Sequence, residues 1–159
     1  PLEDIRCGFA GELAGDADAE RLGEQKRVIS GLIDGVRVLN LYVPNGSSVG
    51  SDKYHYKLEW LACLRSYLEA MASRDEPLCV VGDFNIAPDA RDIHDPERLT
   101  GGIMATDAER NALTLAFQGR LQDVFRLFES ESGHWSWWPA LIPVPGTCAV
   151  VPPAPVPRL

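Results

Sequence analysis

The chain has 159 residues, 45% of them hydrophobic and 24% charged, which is enough for one compact domain and ordinary for a globular protein. No run approaches the ~18 apolar residues a membrane helix needs, so a membrane partner is not expected. The net charge of -8 argues against blanket phosphate attraction, though not against a local basic face or an acidic site that meets phosphate through a metal.

Residues 1–25, acidic and rich in Gly and Ala, show no periodicity and are expected to form an irregular surface lead-in. Residues 26–33 and 36–43 are rich in Val, Ile and Leu and are split by Asp34-Gly35, the signal of a tight hairpin. The second strand is apolar on both faces over part of its length. The pair is therefore expected to be covered on both sides in a layered α/β sandwich. Pro44-Asn45-Gly46 ends that strand. Ser51 or Asp52 then caps a helix over 52–72, whose Leu58, Leu61, Leu64, Leu68 and Met71 form one buried stripe.

"LCVV" (78–81) reads as a short buried strand and 89–105 as a long loop. Thr106 to Glu109 matches a capping box and starts a helix to about residue 118; "LQDVFRLF" is a further helical or extended piece. Residues 139–159 hold seven of the twelve prolines and one charged residue, Arg158, and are expected to be a disordered tail outside the core domain 1–138. Cys7, Cys63, Cys79 and Cys148 form no CxxC and read as buried or incidental thiols of a reducing, cytoplasmic compartment. With His55, His94 and His134 equally scattered, no structural zinc site is expected.

Two strands end in polar groups, "LNLYVPNG" and "CVVGDFNIAP". Ligand sites in open α/β sheets gather beyond the carboxyl ends of strands. If these two are neighbours, Tyr42, Asn45, Asp83 and Asn85 converge on one rim. Asp83 and Asn85 alternate around Phe84, so an extended chain points both to one face and Phe84 to the other. A carboxylate can deprotonate water or hold a divalent metal, an amide can donate to a phosphate oxygen, and a tyrosine hydroxyl can do either kind of bonding. Gly-Asp-x-Asn is equally good turn chemistry, and Tyr42 equally an ordinary strand tyrosine.

The order "LNLYVPNG", "SDKYHYKLEWLACLRSYL", "VVGDFNIAPDARDIHDP", "MATDAERNAL", "GHWSWW" resembles the exonuclease III-type AP endonucleases of the endonuclease/exonuclease/phosphatase superfamily. The resemblance runs from Pro1 to Trp138. It implies a four-layer α/β sandwich, present here in part, and a Mg²⁺- or Mn²⁺-dependent phosphodiesterase. The substrate would be double-stranded DNA, cut at abasic sites and from 3′ ends, by a monomer. Tyr42, Asp83 and Asn85 match the family's catalytic residues, with Asp83 and Asn85 also at a metal. Asn45 and Lys53 match the segment that approaches the DNA backbone, and Trp137 the aromatic near the abasic pocket.

The family's upstream metal-binding glutamate and its terminal Asp-His pair have no counterpart in these 159 residues: no Asp, Glu or His follows His134. Impaired activity is therefore expected. Two other readings stay open, a phosphoesterase of the same superfamily with a lipid or small phosphate ester as substrate, and a non-catalytic DNA-binding remnant.

Overall fold

In the computed structural model, which describes residues 1–74, 76–99, 101–117 and 120–135, strand β1 (Leu2–Cys7) leads to helix α1 (Ala17–Gly23) and strands β2 (Val28–Ile33) and β3 (Val36–Tyr42). Helix α2 (Asp52–Ala72) crosses to β4 (Leu78–Asp83), and α3 (Pro96–Leu99), α4 (Asp107–Phe117) and α5 (Val124–Phe128) follow. The strands form one sheet in the order β1-β2-β3-β4. β1, β2 and β3 pair antiparallel, while β3 and β4 run parallel with Tyr42 opposite Asp83.

The expected hairpin is present. Asp34 and Gly35 take φ values of 48° and 80°, the two left-handed residues such a turn requires. Ser51 caps α2, its side chain accepting from the Tyr54 backbone N–H at 3.2 Å. Leu61, Leu64, Leu68 and Met71 are buried as the stripe predicts, but so are Tyr54, Lys57, Trp60 and Tyr67. A helix laid on a sheet and flanked by α1 and α4 buries more than one narrow stripe. Leu58 is only half-buried.

The core lies between the sheet and this helical layer. Val28, Leu39, Leu41 and Val43 meet Trp60, Leu64 and Tyr67, joined by Leu22, Leu113 and Ala116. Phe9 is fully buried among them, its ring 5.1 Å from Trp60 and 5.4 Å from Tyr67. The first 25 residues are therefore not an irregular lead-in. They supply an edge strand, a capped helix and an aromatic anchor of the core. The segment 89–105 is likewise more than a loop: it makes a short 3₁₀ turn and α3, and Ala87, Ile93 and Ala105 form a small second core against Leu99.

Coverage of both sheet faces is not what the described residues provide. On β3, Leu39 and Leu41 point into the core while Val36, Asn40 and Tyr42 are exposed. Ile29, Ile33 and Val81 are exposed with them. β4 alternates too, with Leu78 and Val80 half-buried against exposed Cys79 and Val81, so it is not a fully buried strand. The reason is that α1, α2 and α4 all pack on one face, giving the sheet and one helical layer of the sandwich. Cys7 and Cys79 are consequently exposed rather than buried. Burial pushes the half-buried Cys63 thiol up to about 11, which keeps it unreactive. Cys148, Trp137 and the proline-rich stretch 139–159 lie outside the described residues.

Arg37 ties the sheet edge together. It is 2% exposed and donates to the Asp4 carbonyl at 2.8 Å, Asp4 Oδ2 at 2.6 Å and Glu76 Oε2 at 3.0 Å. Hydrogen bonds from Arg6 and Arg37 hold the Asp4 carboxyl down from 3.8 to about 2. A depressed folded value stabilises the fold above the unfolded value, and that support is lost as pH falls from 3.8 through about 2. Acid unfolding followed by circular dichroism should separate Asp4→Asn from the wild type at neutral pH, with the two converging near pH 2. A gap that persists into stronger acid would rule this out.

Candidate active site

Because β3 and β4 are parallel neighbours, their carboxyl ends open on one rim, as the sequence requires for a shared site. Gly82 sets the approach of the two strands. Its φ is 126°, and a Cβ there would lie 2.0 Å from the Leu41 carbonyl oxygen. Asp83 follows directly, in register with Tyr42.

The chain does not stay extended through Asn85. β4 ends at Asp83, and Asn85 takes a left-handed φ of 47°. Asp83 Oδ1 accepts the Asn85 backbone N–H at 2.9 Å, closing an Asx turn over Phe84. Two side chains two apart face each other here because the turn folds them together, not because a strand alternates. The turn and the candidate site are thus one object. One carboxylate oxygen closes the turn, and the other, Oδ2, lies 3.4 Å from Asn85 Nδ2 on the exposed side. Phe84 points to the core and meets Phe117 edge to face at 5.7 Å, the packing lock its position predicts.

Asn85 Nδ2 donates to the Val43 carbonyl at 2.9 Å, which fixes the orientation of the carboxamide. Its Oδ1 then faces Asn45 Nδ2 at 3.4 Å. Asn45 itself is exposed and its Oδ1 accepts the Ser47 backbone N–H at 3.1 Å. Asn45 therefore keeps a second amide proton free of these bonds, in the direction of solvent. Tyr42 is 53% exposed, with the Arg27 guanidinium 4.8 Å from its ring centroid. Lys53 is exposed in the first turn of α2. The structure thus brings Asn45, Asp83 and Asn85 together, with Tyr42 in register beside Asp83, while Lys53 lies in the exposed first turn of α2.

Three neighbours were not foreseen. Arg27 adds a cation beside Tyr42, and its strand-edge position gave no signal. Lys57 and Glu109 form a fully buried ion pair at 2.5 Å directly beneath the rim. Lys57 Nζ also donates to the Asn85 carbonyl at 2.7 Å and the Asn45 carbonyl at 3.2 Å. Glu109 closes the predicted capping box, Oε2 accepting the Thr106 N–H at 3.1 Å while Thr106 Oγ1 accepts the Glu109 N–H at 3.2 Å. Burial pushes the Lys57 ammonium below the ordinary lysine value, and its bond to Glu109 pushes back. A signal did exist for Lys57: it sits three residues after Tyr54 and four before Leu61, on the buried stripe.

The sequence profile of the Endonuclease/Exonuclease/phosphatase family matches residues 10–148. The chain belongs to this family. It is 29% identical over 120 residues to an exodeoxyribonuclease of Bacillus subtilis, a match covering 75% of this chain and 47% of the relative. A 3′-5′ exonuclease from Neisseria meningitidis superposes with a TM-score of 0.76 at 31% identity, over 88% of this chain and 52% of that one. An AP endonuclease from Archaeoglobus fulgidus does so with a TM-score of 0.69 at 30% identity, over 80% and 46%. The chain spans about half the length of these family members.

Family members are generally divalent-metal dependent. Among the described residues no three of His, Cys, Asp and Glu gather closely enough to hold an ion. The rim offers one carboxylate, Asp83, and the amide oxygens beside it. That donor set suits a Mg²⁺-like ion that keeps several waters and leans on one or two carboxylates plus substrate phosphate, not a closed protein cage.

Proposed function

We propose that this chain carries part of the active site of an exodeoxyribonuclease III-type nuclease. Its substrate is double-stranded DNA, cut at abasic sites and from 3′ ends in base excision repair. The carrying observation is Asp83, with one oxygen committed to the turn and the other on the exposed side, held only by a long 3.4 Å bond from Asn85 Nδ2. A carboxylate so fixed can take a proton from the attacking water or return one to the leaving oxygen. Asn45, with an amide proton outside these bonds, donates to the scissile phosphate without adding repulsive charge; Asn85 does so by exchanging its long 3.4 Å bond to Asp83 Oδ2 for the phosphate, and the Tyr42 hydroxyl bonds the same group. Asn45 and Lys53 follow the DNA backbone, and Trp137 is assigned to the abasic pocket. Mg²⁺ or Mn²⁺ is the cofactor, with Asp83 and Asn85 as this chain's ligands; when bound, the ion neutralises phosphate charge and acidifies water. The reading is of a cytoplasmic monomer; among the described residues no helix is long and apolar enough to cross a membrane.

The test is incision of an abasic duplex by the purified chain with Mg²⁺. Slow incision is expected, because Asp83 is the one carboxylate at the rim among the described residues, and Asp83→Ala, which also opens the Asx turn, should lower it a further ~10²–10⁴-fold while circular dichroism shows helices and sheet retained. Incision indifferent to Asp83→Ala would sink the assignment. Hydrolysis of an inositol phosphate in preference to DNA would select another phosphoesterase, and salt-sensitive DNA binding without cleavage a non-catalytic module.

A further inference from the structure

The Lys57 ammonium has three donors, and the rim uses two of them. It reaches the carbonyls of Asn45 and Asn85, which belong to different loops, one after β3 and one after β4. The third donor meets Glu109, which is itself held by the Thr106 cap and the Met104 N–H at 3.1 Å. Four separate pieces of chain therefore meet at one nitrogen. Asn85 is the piece that most needs holding. Its φ of 47° lies in the left-handed region, which Asn takes more readily than other residues with a Cβ but still at a cost, and three bonds hold it there. Asp83 fixes its N–H, Val43 its carboxamide and Lys57 its carbonyl.

A buried ion pair is a poor device for stability alone, since apolar residues of the same volume often do as well. What apolar residues cannot do is donate to two carbonyls at once. We infer that Lys57, anchored by Glu109, is a positioning residue that holds the Asn45 and Asn85 carboxamides in register beside Asp83, touching no substrate itself. The inference rests on the nuclease reading of the rim.

The test combines Lys57→Met with Glu109→Gln. Methionine fills the lysine's volume without a donor, and glutamine keeps an acceptor for the helix cap, so no charge is left buried alone. The double variant should fold, as judged by circular dichroism. Asn85 φ, read by NMR from its HN–Hα coupling, should leave the left-handed region, and the Asn45 and Asn85 side-chain amide signals should broaden. On abasic duplex DNA, kcat should fall about 10–100-fold with KM near the wild-type value, the size expected when reacting groups are misplaced by about 1 Å.

A folded double variant with Asn85 still left-handed overturns the inference, whether or not the chain cuts DNA. So does a double variant that cuts at the wild-type rate. Failure to fold overturns it as well, because the pair would then hold the fold and not the site. A rearranged Asn85 in a chain whose wild type shows no cleavage supports positioning and counts against the nuclease reading alone.

Discussion

Lys57→Met, made alone, is expected to destabilise the fold by about 3–5 kcal/mol, measured as the shift in free energy of urea unfolding. The single change strands Glu109, which is fully buried, without its counter-ion. Three hydrogen bonds to Glu109 remain, from Met104 N–H, Thr106 N–H and Thr106 Oγ1. They solvate the carboxylate only in part, since neutral donors offset less than an ammonium does. The Asn45 and Asn85 carbonyls lose a donor at the same time. Adding Glu109→Gln removes the stranded charge and should restore most of the loss, so the two changes are strongly non-additive. A single variant that costs under about 1 kcal/mol would show that water reaches the pair.

Gly82→Ala is the second large effect, and it separates two roles that glycine plays in this chain. At Gly35, with φ of 80°, an added Cβ meets nothing within 4 Å, so alanine there costs backbone strain alone, about 1 kcal/mol. At Gly82 the φ is 126° and the Cβ would lie 2.0 Å from the Leu41 carbonyl oxygen and 2.7 Å from its nitrogen. Both atoms are backbone of the partner strand and cannot swing aside. Strain and overpacking together should cost about 2–5 kcal/mol, several times the effect at Gly35. Thermal unfolding of both alanine variants measures this. Equal shifts would mean that the two strands separate freely at this point. Because Asp83 is the next residue, surviving Gly82→Ala protein should also show a displaced rim.

What the sequence disclosed was whatever is decided locally. The Asp34-Gly35 hairpin, the Ser51 cap and the Thr106–Glu109 box each rest on residues within a few positions of one another, and each is present. The lead-in was not legible because "LEDIRC" has no apolar alternation: β1 is held by backbone pairing to β2 and by Arg37 from two strands away. The convergence of Tyr42, Asn45, Asp83 and Asn85 was legible through the motifs at two strand ends. The means of convergence was not, since an alternating strand and an Asx turn both put Asp83 and Asn85 on one side. Lys57 and Glu109 were hidden by their own chemistry. A charged residue reads as solvated unless its partner is known, and that partner lies 52 positions away.

The parallel pairing of β3 with β4 also bears on how the rim comes into being during folding. β2 and β3 meet across a two-residue turn, a contact that closes on the microsecond scale of hairpins. β4 can join only after residues 43–77 are gathered in, and most of that span is α2. Closure of so long a loop is entropically costly until the helix docks. Trp60, fully buried against Phe9, is covered only when that docking happens. Asp83 therefore reaches Tyr42 no earlier than the crossover is complete. A chain with its hairpin and its helix formed still lacks the rim, and burial of Trp60 comes before or together with the meeting of Asp83 and Tyr42, never after it.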